Sequence, residues 1–121
     1  MTNSSFTRPA GQTCFMRYAT KGERRVARKL VQRLLDLGHT VSVHDGVEWT
    51  ERHVTRLQPV LDALCSTGED TIRARDKAGE VVADFNLIWG NAEDGEELVA
   101  DHSDNDAANA IMRWVNGEDE E

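Results

Sequence analysis

Two short stretches of this chain crowd ionisable side chains closely enough to do chemistry. Residues 89–106, WGNAEDGEELVADHSDND, hold seven carboxylates and one histidine. Residues 21–33, KGERRVARKLVQR, hold six cations, Lys21, Arg24, Arg25, Arg28, Lys29 and Arg33, against the single acid Glu23. Clustered carboxylates can ligate a hard divalent cation, or they can face the lysines and arginines of a partner protein. Clustered cations on one helix can follow a phosphate backbone.

Ligand spacing argues against a metal. A calcium loop begun at Asp101 places oxygen ligands well at Asp101, Ser103 and Asn105. It then puts Asp106 where the tight turn needs glycine and Met112 where a bidentate glutamate belongs. Asp101, His102 and Asp104 remain as a chance site for a divalent ion. The expectation is no metal and no cofactor. Catalysis fares no better. His39, His44, His53 and His102 are candidate bases, but no nucleophile-elbow glycine pattern surrounds any serine. No glycine pattern for cradling phosphates is present either. Cys14 and Cys65 form no C-x-x-C pair. Cys65 follows Leu64 in an apolar stretch and reads as a reduced core thiol; Cys14 reads as exposed. The chain is not expected to be an enzyme.

Charge patterning says more. Residues 1–60 hold ten Lys/Arg and five Asp/Glu, a net +5; residues 61–121 hold four and seventeen, a net −13, which yields the overall −8. From Glu93 to Glu121 there are eleven carboxylates against Arg113 alone. A field of that sign repels nucleic acid and attracts basic protein surfaces, many of which are nucleic-acid grooves. The leading expectation is therefore a partner face made of Glu93, Asp94, Glu96, Glu97, Asp101 and Asp104, with Trp89 and Asn91 beside them. The alternative is direct nucleic-acid binding through Arg24, Arg25, Arg28, Lys29 and Arg33. A solvated acidic rim and a solvated helix face are the bland readings of the same residues.

The elements that would position these groups follow from periodicity. Residues 1–15 read as a flexible leader, 16–116 as one α+β domain and 117–121 as an acidic tail. Val26, Leu30, Leu34 and Leu37 line one helix face, widened by Ala27, Val31 and Leu35. Thr20 and Glu23 make a capping box, and Gly38 is the C-terminal stop. Val41 and Val43 alternate in a strand that ends at the Asp45-Gly46 turn, and Val47 to Trp49 is a short return strand or a lead-in. Leu57, Val60, Leu61 and Leu64 mark a second helix begun near Arg56, with Pro59 in its first turn. Residues 71–101 read as a three-strand meander, with a turn at Asp76–Gly79 and with Ala83, Phe85, Leu87 and Trp89 on one face. A last helix runs from about Asn105 to Val115. The order α-β-(β)-α-β-β-β-α predicts an α+β fold: an antiparallel sheet of three to four strands with three helices.

A chain of 121 residues with 39% hydrophobic and 30% charged residues has the composition of one soluble domain. No apolar run approaches the ~20 residues that span a bilayer. The N-terminal residues show no apolar signal core, so a cytoplasmic protein is expected, without membrane partners. Either helix could support a homodimer.

One stretch resembles a known group. Val43 to Gly46, Thr67 to Thr71, Gly79 to Asn91 (ending F-x-L-I-W-G-N) and Asp101 to Asp104 resemble recurring elements of small uncharacterised phage and prophage proteins. The resemblance covers roughly residues 39–106. It implies a mobile-element origin and no catalytic role. Small acidic phage proteins of this type include anti-CRISPR inhibitors and DNA mimics. The expected partner is thus a host protein with a basic surface, such as a nuclease or a CRISPR effector complex, which the protein would inhibit.

Overall fold

The structure, a computed structural model, describes residues 13–90 and 97–117. Its elements are α1 (Cys14–Tyr18), α2 (Lys21–Asp36), β1 (Thr40–His44), β2 (Trp49–Val54), α3 (Leu57–Asp62), β3 (Glu69–Arg75), β4 (Val81–Ile88), β5 (Val99–His102) and α4 (Asp106–Val115). The strands form one antiparallel sheet in the order β2-β1-β3-β4-β5. The fold is α+β, as expected, but with five strands and four helices among the described residues rather than three to four and three.

Each extra element has a physical reason. α1 lies across the expected leader boundary because Thr13 caps it, accepting from Met16 N–H at 3.2 Å, and because Phe15 is buried. Five residues with one buried side chain carry no readable period. β2 begins at Trp49 rather than ending there. Its backbone swings into the left-handed region at His53 (φ 54°), and its pairing with β1 has register shifts. Such breaks erase the two-residue alternation that marks a strand.

α2 follows its sequence closely. Thr20 Oγ1 accepts from Glu23 N–H at 3.0 Å, and Glu23 Oε1 accepts from Thr20 N–H at 2.9 Å, so both halves of the capping box are present. Gly38 takes φ 90°, the left-handed residue that ends the helix. Ala27, Leu30, Val31 and Leu34 are buried, while Leu37 is exposed. Asp45-Gly46 turns as expected: Val47 and Glu48 N–H groups donate to Asp45 Oδ1 at 2.8 and 2.9 Å. Those donors hold the Asp45 carboxyl below its ordinary pKa. Asp76 closes the β3–β4 turn in the same way, accepting from Ala78 and Glu80 N–H groups.

Strand pairing sorts side chains between two faces. Val41, Val43, Ile72, Ala74, Ala83, Phe85 and Leu87 share one face and pack with residues from all four helices into a single apolar core. The opposite face is polar. Arg73 and Asp84 pair across it through two hydrogen bonds of 2.8 and 3.0 Å, which keep the Arg73 guanidinium more firmly protonated than usual. Trp49 stands edge-on to His44, with ring centroids 4.9 Å apart, and the Arg73 guanidinium lies 5.2 Å from its ring centroid. No described helix is long and apolar enough to cross a membrane.

Candidate functional site

The six cations of the basic helix converge. α2 packs its apolar stripe on the core and turns Lys21, Arg24, Arg25, Arg28, Lys29 and Arg33 outward. With Gln32, Asp36, Leu57 of α3 and Trp114 of α4 they line one depression of about 730 Å³. α4 runs back along α2. Its first turn, at Ala107, shares a small cavity with Leu37 and His39 at the end of α2, while Trp114 in its last turn reaches Lys29 and Arg33. The Arg33 guanidinium sits 4.3 Å from the Trp114 ring centroid and the Lys29 ammonium 5.7 Å from it. These are cation–π distances, and they hold both cations beside an aromatic wall.

The cations are not equivalent. Arg24 donates to the carbonyl oxygens of Ala19, at 2.7 Å, and Met16, at 3.5 Å, so it also ties α2 to the end of α1. Asp36 accepts from Gln32 at 2.8 Å and marks the acidic end of the groove. Periodicity placed the cations on the solvated side of the helix. It could not show that Trp114, eighty-one residues beyond Arg33, would wall the groove, because that contact depends on how α4 packs beside α2.

No family model, curated protein or solved structure matches the chain. Function must therefore be argued from the site itself.

The acidic candidates divide. Glu93, Asp94, Glu96 and Asn91 lie outside the described residues. Glu97, Asp101 and Asp104 are exposed, on or beside edge strand β5. Trp89 is turned inward: its indole N–H donates to Asp70 Oδ2 at 2.8 Å, and its ring stands edge-on to Phe15 at 6.0 Å. With its one donor taken, it offers a partner little beyond part of its ring. His102 Nδ1 lies 2.9 Å from the Ser103 carbonyl oxygen, and its ring tilts over Phe85. Among the described residues no three His, Cys, Asp or Glu side chains form a group able to hold a metal ion.

Two buried carboxylates escaped the sequence reading. Glu23 is fully buried, and beyond its cap it accepts from Gly90 N–H through Oε2 at 2.6 Å. Asp70 is 1% exposed. Its Oδ2 accepts from Cys65 N–H and the Trp89 indole, both at 2.8 Å, while Oδ1 has no partner. Burial outweighs those donors and raises the Asp70 pKa. A signal for Asp70 existed: it is in phase with Ile72 and Ala74, the core-facing residues of its strand. Cys65 is buried and free, with its backbone at φ 68°. Burial first, then the nearby Asp70 and Glu23 charges, push its thiol up to about 11. Cys14 is also free and half-buried rather than exposed.

Proposed function

We propose that the protein binds single-stranded nucleic acid through the phosphate backbone, using the cationic groove of α2. The observation that carries this reading is the convergence of six cations and the Trp114 wall in one depression. Cationic grooves track phosphates, and an aromatic beside the track supports a base. The groove lies between Leu57 of α3 and Trp114 of α4, and a recessed site suits a single strand. Reading a duplex major groove requires a protruding element. The overall −8 charge does not cancel the local field, because exposed charges are screened beyond about 8–10 Å at ordinary salt.

The test is fluorescence anisotropy of a labelled single-stranded oligothymidylate at low salt, with a duplex of equal length beside it. Binding of the single strand that weakens in Arg28→Ala and Lys29→Ala supports the reading. An unchanged anisotropy at high protein concentration removes it.

A second reading rests on a separate observation: Glu97, Asp101 and Asp104 are exposed along one sheet edge. That edge would face the basic surface of a host protein, and the resemblance to phage proteins supports an inhibitor of a nuclease or CRISPR effector. Charge reversal at all three positions should abolish capture of such a partner after nuclease treatment while leaving thermal stability intact. Capture at undiminished strength would exclude the acidic edge.

A further inference from the structure

We propose that the α2 groove selects a strand with a guanine at its Asp36 end, where the Asp36 carboxylate reads the edge of the base. This rests on the reading of that groove as a phosphate site and names the base it prefers.

Asp36 is out of place on a phosphate track. It is the one carboxylate among the lining residues of an otherwise cationic depression, and it repels a phosphate brought to that end. Nor does it serve the helix. As the last residue of α2 it sets a negative charge at the negative end of the helix dipole. Its hydrogen-bond partner is a neutral group, the Gln32 amide, at 2.8 Å.

Its neighbours are suited to holding a base. Lys29, Gln32, Arg33 and Asp36 stand at i, i+3, i+4 and i+7, so they share one face of α2. The Arg33 guanidinium is held over the Trp114 ring, 4.3 Å from its centroid. A guanidinium plane carries a stacked base as an aromatic ring does. Asp36 lies about 4.5 Å beyond Arg33 along the helix axis, beside the edge of a base stacked there.

The chemistry of that edge selects the base. Guanine carries two neighbouring donors, N1–H and the 2-amino group, and they match the two oxygens of a carboxylate. Adenine and cytosine set a ring-nitrogen lone pair beside their amino group. Thymine flanks its single N–H with carbonyl oxygens. Each of these brings a lone pair against the Asp36 charge. An ionised carboxylate has about four acceptor sites, so the bond from Gln32 orients the group and still leaves room for both guanine donors.

The experiment measures anisotropy at low salt for labelled strands of equal length: oligothymidylate, and the same strand with one central guanine, hypoxanthine or adenine. The guanine strand should bind about tenfold more tightly than the oligothymidylate and adenine strands. Hypoxanthine, which lacks the 2-amino group, should fall between. Asp36→Asn should erase the preference and, with the repulsive charge gone, bind oligothymidylate more tightly than the parent does. A merely structural Asp36 would change all strands alike. Equal affinities for every strand, or a guanine preference that survives in Asp36→Asn, would overturn the proposal and leave the phosphate groove standing. Failure of every strand to bind would overturn the groove reading, and this one with it.

Discussion

Asp70 holds two donors on one oxygen and none on the other, with 1% of its surface exposed. Burial favours its neutral form, so its folded pKa lies above the ~3.9 of an unfolded aspartate. The site's contribution to stability is then full below the unfolded value and is lost as pH rises through the folded one. Relative to Asp70→Asn, the protein should lose stability between acid and neutral pH. Urea unfolding followed by tryptophan fluorescence at a series of pH values measures this, and parallel profiles would contradict it. Cys65 supplies a second expectation. With its thiol raised to about 11 and 7% of its surface exposed, it should resist alkylation in the native protein. Mass spectrometry should find one label under native conditions, on Cys14, and two after denaturation. The apolar setting of Cys65 was legible in its neighbours. The charge of Asp70 inside the core was legible only as a phase, because a polar residue on a core face is normally read as an irregularity in the pattern.

At the scale of elements, Glu23 joins parts that sequence keeps far apart. Its cap on α2 is local and legible from the Thr20 spacing. Its bond to Gly90 spans sixty-seven positions and depends on how β4 leaves the sheet. Glu23→Ala should cost about 1–3 kcal/mol for each donor left unpaired, and Glu23→Gln less, measured by chemical denaturation. An alanine variant as stable as the parent would show the bond to be dispensable. Helices and strands with three or more in-phase buried residues were legible: α2, α4, β3 and β4 fall close to their expected bounds. α1 and β2 were not. One buries a single phenylalanine and the other is an edge strand with a left-handed residue. Core burial in the legible elements is correspondingly sensitive. Leu30→Ala, at a fully buried site on α2, should destabilise by about 2–5 kcal/mol in the same assay.

Across the whole molecule, the charge halves seen in the sequence become a basic groove on α2 and acidic groups along β5. The groove was half legible. Cation spacing marked the face, while the Trp114 wall came from a helix packed alongside it. Displaced counterions give single-strand binding a slope of about −0.7 per phosphate in log K against log salt. Three to five contacts predict a slope between about −2 and −4, and Arg28→Ala/Lys29→Ala should flatten it by about 1. A salt titration by anisotropy checks both numbers, and a flat dependence would disprove backbone contact. The sheet's two margins have a different consequence. β2 presents Glu51 and Arg52 and kinks at His53, while β5 is four residues long and carries Asp101. Short, charged and bent margins are poor templates for another chain's strand. Concentrated preparations should therefore resist fibril growth by lateral strand addition, and replacing Arg52 and Asp101 with valine should remove much of that protection.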